Sequence, residues 1–133
     1  MKNNTFIIVI IGIVLLSGLL LLKQNPSSSS TNQDSETTNV SIVNNQQIVT
    51  ITAKGGYTPA KSVVQSNLPT VIRFDTNGTF DCSASVRIAS KGISKTLPSN
   101  GSLDVNIGTL QAGETVQGTC SMGMYRFEIK AAS

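Results

Sequence analysis

Two short runs fix the fold class before anything else. In S-L-D-V-N-I-G, 102–108, Leu103, Val105 and Ile107 alternate with Asp104 and Asn106; in Y-R-F-E-I-K, 125–130, Tyr125, Phe127 and Ile129 alternate with Arg126, Glu128 and Lys130. Side chains on an extended chain point to opposite faces in turn, so each run reads as a half-buried strand with one wet face. The same period places Val49, Ile51 and Ala53 on one face of 48–53, and Ile72 and Phe74 on one face of 68–75. Gly55-Gly56, Asn77-Gly78, Lys91-Gly92, Pro98 through Gly101 and Ala112-Gly113 separate the runs as turn signals. No helical period competes over this stretch. Short strands at this spacing predict an all-β sandwich of seven to eight strands.

The alternation begins only near Gln46. Upstream, residues 6–22 carry no charge and a single polar side chain, Ser17. As a helix this run is about 26 Å long, close to the thickness of a hydrocarbon core. A signal peptide has a shorter apolar region and a small-residue cleavage site; here the run ends in Leu19 to Leu22 and Lys23, with no cysteine nearby to take a lipid. Residues 1–23 are therefore expected to form an N-terminal transmembrane anchor, placing the protein in the cell membrane as a single-pass protein. Lys2 and Lys23 flank the span almost evenly, so the positive-inside rule sets no orientation. Residues 24–45, rich in Ser, Thr, Asn and Gln, read as a flexible tether. Residues 46–133 then form one domain of about ninety residues, enough for a single core.

The function classes narrow by exclusion. The chain carries a formal net charge of +3. Its basic residues are scattered along the sequence and do not interleave with aromatics, so no nucleic-acid footprint is visible and a solvated surface explains them. There is no histidine. That removes histidine acid–base chemistry, a Ser-His-Asp triad and the two-histidine blue-copper site. Asp81 beside Cys82 raises a thiol pKa rather than lowering it, which argues against a cysteine nucleophile and against an enzyme.

What remains is sulfur. The chain has two cysteines and three methionines, one of them Met1. Cys120, Met122 and Met124 fall within five positions, in C-S-M-G-M, and Cys82 is the other cysteine. Parity from Val116 through Gly118 points Cys120 inward. Parity from Ile88 back through Val86 and Ala84 does the same for Cys82 and Phe80, if the strand is continuous from 80 to 88. Each cysteine falls near a strand end. Soft thiolate and thioether donors without imidazole select Cu(I), which accepts two or three ligands. Two cysteines fall short of a structural zinc site. Extended chain puts 120, 122 and 124 on one side, whereas a turn at Gly123 folds Met124 back. Two other readings stay open: a Cys82–Cys120 disulfide, which suits an even cysteine count in a small domain outside the membrane, and reduced core thiols with methionines as gap-fillers.

Four segments carry a family resemblance: G-G-Y-T-P at 55–59, T-F-D-C at 79–82, K-G-I-S-K-T-L-P-S-N-G at 91–101 and T-C-S-M-G-M-Y at 119–125. With them the domain resembles the cupredoxin-like family, and within it the membrane-anchored Cu(I) chaperones of streptococci and their relatives. The resemblance implies a Greek-key β-sandwich in which two cysteines and two methionines hold one or two Cu(I) ions. Carried over, Cys82 and Cys120 form the tighter site, and Met122 and Met124, with Cys120 bridging, form the weaker one. It also implies that the protein passes copper to a copper-exporting P-type ATPase in copper resistance; the protein itself is expected to be a monomer. Two further readings compete: a disulfide-stabilised extracytoplasmic binding module without metal, and a cupredoxin-type electron-transfer protein, against which the missing histidines count.

Overall fold

The computed structural model describes residues 39–133; the expected anchor and most of the expected tether lie outside them. Among the described residues no helix is long and apolar enough to cross a membrane. Ten strands build two sheets. They are β1 (Val40–Val43), β2 (Gln46–Ala53), β3 (Tyr57–Thr58), β4 (Lys61–Val64), β5 (Pro69–Asn77), β6 (Ser85–Ile88), β7 (Ile93–Thr96), β8 (Asn100–Thr109), β9 (Thr115–Thr119) and β10 (Arg126–Ala131). The count exceeds the seven to eight expected because pieces as short as β3 are too brief to show a period.

The first sheet runs β1-β2-β5-β8, with β3 paired to β2; the second runs β4-β10-β9-β6-β7. β2 lies parallel to β5, and β4 parallel to β10. A parallel pair cannot be joined by a tight hairpin. The chain makes the connection by leaving the first sheet after β3, through the cis Thr58–Pro59 bond, and laying β4 in the second. The last residues of the expected tether belong to the sandwich. Val40–Val43 pairs with Gln46–Val49, and Asn44 and Asn45 turn the hairpin with positive φ. Asparagine is one of the few side chains that tolerates that region.

The alternating faces pack as the sequence predicts. Val49, Ile51, Ala53, Ile72, Phe74, Val105, Ile107, Phe127 and Ile129 are all buried. Tyr57, Phe74 and Phe127 meet edge to face with ring centroids 5.1–6.1 Å apart, a favoured aromatic geometry. Phe127 stands opposite Gly118 in the β9–β10 register, and its ring fills the space a Cβ on Gly118 would take. One buried polar group, Gln47, is fully engaged. Its amide nitrogen donates to the Gln65 carbonyl at 2.7 Å and the Thr70 hydroxyl at 2.9 Å, and its oxygen accepts from the Gln65 N–H at 2.9 Å. It pins the 65–70 connection that returns the chain to the first sheet.

Two orientations expected from parity are corrected. There is no strand from 80 to 84. Gly78 takes φ +64°, the chain bends, and Cys82–Ala84 forms a single 3₁₀ turn. Phe80 is consequently 83% exposed rather than inward. Tyr125 lies in the loop before β10 and is only half-buried, packed over Gly56.

Candidate metal centre

β9 ends beside the start of β6: Thr119 stands opposite Arg87 in the register. The residues just outside those strand ends, Cys120 and the Cys82 turn, are therefore neighbours. Each loop is shaped by its own hydrogen bonds before any ligand is considered.

Asp81 caps the Cys82 turn. One carboxylate oxygen accepts from the Ser83 N–H at 2.7 Å and the Ser83 hydroxyl at 2.5 Å; the other accepts from the Gly55 N–H at 2.9 Å. This Asp-x-Ser cap ties T-F-D-C to G-G-Y-T-P and holds both segments beside the cysteines. The Ser83 hydroxyl, followed by the Gly55 and Ser83 backbone N–H groups, lowers the Asp81 pKa to about 2. The carboxylate is thus a fixed negative charge beside Cys82. Nearby, the Tyr57 hydroxyl donates to the Ser85 carbonyl at 2.8 Å. Burial, with a smaller contribution from Asp81, pushes its pKa above the ordinary phenol range, so it acts as a neutral donor.

Ser85 joins the two loops. Its hydroxyl bonds to the Cys82 carbonyl at 3.1 Å, to the Ser121 hydroxyl at 2.9 Å, and accepts from the Ser121 N–H at 3.1 Å. On the other side, Cys120 N–H donates to the Tyr125 carbonyl at 3.1 Å and Gly123 N–H to the Cys120 carbonyl at 2.9 Å. Gly123 sits at φ +70°, where a side chain would be strained. Of the two geometries open for C-S-M-G-M, the turn is the one present. It leaves Met122 and Met124 at the loop tip, 69% and 64% exposed.

The structure brings the two cysteines together. Cys120 is 1% exposed and Cys82 half-buried, their Cα atoms are 5.7 Å apart, and their sulfurs are joined as a disulfide. The Tyr125 N–H points at the Cys120 sulfur from 3.5 Å. Among the described residues no three of His, Cys, Asp and Glu cluster to hold a metal. A metal at this end must therefore draw on methionine or remain two-coordinate, and Cu(I) tolerates both. Asp81, Ser85 and Ser121 escaped the sequence reading as structural parts of the site. The Asp-x-Ser spacing at 81–83 was the available signal.

A family model described as "Cupredoxin-like domain" matches residues 12–130. Two solved structures are similar in fold. One is the metal-binding domain of the Cu(I)-exporting P-type ATPase CopA of Streptococcus pneumoniae D39, solved with Cu(I). It is 22% identical over 71% of this chain and 93% of that one, with a TM-score of 0.62. The other is a copper binding protein in its apo form, 24% identical over 69% of this chain and 93% of that one, with a TM-score of 0.62. No curated protein matches the chain. With the model spanning nearly the whole described sandwich and its site loops, the chain belongs to the cupredoxin-like domain family.

Proposed function

We propose that this protein is a membrane-anchored Cu(I) chaperone that holds copper with Cys82, Cys120, Met122 and Met124 and passes it to a copper-exporting P-type ATPase in copper resistance. The observation that carries the reading is the meeting of the only two cysteines at one end of the sandwich, under a loop whose tip exposes both domain methionines. The similar folds of copper-binding domains support it, and residues 6–22 supply the anchor. The roles divide by depth. The shallow thioethers meet a partner first and bind more weakly than thiolates, so the ion leaves through them by ligand exchange. The disulfide must first be opened: a thiol reductant supplies two electrons and two protons, and Cu(I) on binding displaces those protons from the thiols into solvent.

The test is an anaerobic titration of the reduced domain with Cu(I) against a chromophoric chelator. Two equivalents, one much tighter, support a binuclear chaperone; one equivalent leaves a mononuclear Cu(I) site. Unchanged binding in the Cys82→Ser/Cys120→Ser double variant would falsify the ligand set.

The Cys82–Cys120 bond itself favours a second reading, a disulfide-stabilised extracytoplasmic module without metal. Under it, natively isolated protein with thiols blocked is two hydrogens lighter than the reduced chain, and the reduced domain takes up no copper.

A further inference from the structure

The basic residues look scattered in sequence, yet the strand register gathers four of them on one surface. On the outer face of the second sheet, β4 presents Lys61, β6 presents Arg87, and β10 presents Arg126 and Lys130. Lys61 stands opposite Glu128 and Lys130 opposite Val63, while Arg126 and Arg87 flank Thr119 from either side. Glu128 is the single acidic residue of this face, and it accepts from Gln117. Among the described residues the ion pairs are Arg73–Asp104 and Lys91–Glu114, so none of the four cations is neutralised by a carboxylate. The opposite outer face differs. There Arg73 is tied to Asp104, with Asp75 on the same side of its strand.

We infer that the outer face of the β4-β10-β9-β6-β7 sheet docks on an anionic lipid surface, with Lys61, Arg87, Arg126 and Lys130 engaging headgroup phosphates. Two observations choose this occupant. Charge complementarity is the first: a row of unpaired cations suits a negatively charged leaflet, where each basic residue near the surface strengthens partitioning about fivefold. The second is where the upstream chain arrives. Thirty-eight residues precede Asn39, whose side chain donates to the Ser62 hydroxyl of β4 at 2.9 Å and to the Thr50 carbonyl of β2 at 2.9 Å. Ser62 is the buried neighbour of Lys61 and Val63 on β4, the edge strand of this sheet. The described chain thus begins where an edge of each sheet meets the other, and one of those edges borders the basic face. A shallow depression of about 300 Å³ between Lys61, Gln117, Thr119, Arg126 and Glu128 offers room for a headgroup, with the Glu128 carboxylate the one anion in its lining. The inference builds on the anchored-chaperone reading by fixing how the domain lies. With this sheet against the bilayer, the Cys120 loop, which joins β9 to β10 of the same sheet, lies at one end of the docked face, within reach of a partner in the same membrane.

Residues 39–133 contain both sheets and the whole core, so the domain folds as an independent unit and can be tested without the anchor. The metal-free domain is floated with vesicles of phosphatidylcholine alone and with vesicles containing phosphatidylglycerol at about one part in three. The expected result is binding only to the anionic vesicles, abolished by half-molar salt and weakened at least tenfold in Lys61→Glu/Lys130→Glu, with Asp75→Asn as the opposite-face control unchanged. No binding, equal binding to both vesicle types, or full binding by the double variant overturns it. If the double variant instead binds vesicles normally but loses copper transfer to an acceptor domain, the face belongs to an acidic protein partner. Because copper is absent from the vesicle assay, its outcome is independent of the Cu(I) titration.

Discussion

Phe127 lies across Gly118, its ring occupying the volume where any other residue would place a Cβ. The contact couples the β9–β10 hairpin to the aromatic cluster with Tyr57 and Phe74. Gly118→Ala is expected to destabilise the domain by about 2–3 kcal/mol, the range for overpacking a core without room to relax. Urea unfolding of the variant beside the native domain measures this, and a change within error would mean that the ring moves freely.

Gln47 is expected to be as sensitive for a different reason. Gln47→Ala removes the partners of the Gln65 carbonyl, the Gln65 N–H and the Thr70 hydroxyl in a buried setting. The cost is about 2–4 kcal/mol, the desolvation of groups left unpaired plus a cavity. Thermal unfolding should show it as a lowered midpoint with an unchanged native spectrum.

Asp81 gives the fold a pH-dependent component with a defined sign. Its folded pKa, about 2, lies below the ordinary aspartate value of 3.8. A depressed carboxylate stabilises the folded state above its unfolded pKa, and that contribution fades as pH falls from about 4 toward 2. Native stability should drop more steeply over this window than that of Asp81→Asn. Parallel slopes in an acid titration of unfolding would show that the cap contributes nothing.

Met122→Leu/Met124→Leu should separate copper binding from folding. Both side chains are mostly exposed, so stability should stay within about 0.5 kcal/mol of native. In the Cu(I) titration the weaker equivalent should disappear while the tighter one persists. Retention of both equivalents would remove the methionines from the site.

Reduction should cost the apo domain stability, and copper should return it. The disulfide spans a sequence separation of 38, which corresponds to about 4 kcal/mol of chain-entropy stabilisation. Cu(I) bound to the reduced folded state adds stability by mass action. Melting curves of oxidised, reduced and reduced copper-loaded protein should rank with the reduced apo form lowest.

Much of the sandwich was legible in the sequence because one face of each long strand is buried and the other is wet. Val105 and Ile107 alternate with Asp104 and Asn106 for that physical reason, and the buried set follows directly. Local breaks were harder to read. Phe80 shares parity with Val86 and Ile88, but parity carries only along an unbroken strand, and the chain bends at Gly78 and coils at Cys82–Ala84. Val40–Val43 looked like tether because its neighbours are polar and its own residues are largely exposed. The meeting of Cys82 with Cys120 depends on β6 lying beside β9, and the basic face on how β4, β10 and β6 are ordered. Both are facts of strand order, which no single strand encodes.

The six residues from Cys120 to Tyr125 are closed by two backbone hydrogen bonds, with Ser85 fastening their base to the neighbouring turn. The loop's shape is therefore set by the chain's own hydrogen bonds. Under the proposed copper-holding role, loading and release at the methionines would need side-chain rotations at the tip rather than backbone movement, and substitutions deep in the core away from the two cysteines would shift melting temperature while leaving the exchange rate at the tip unchanged.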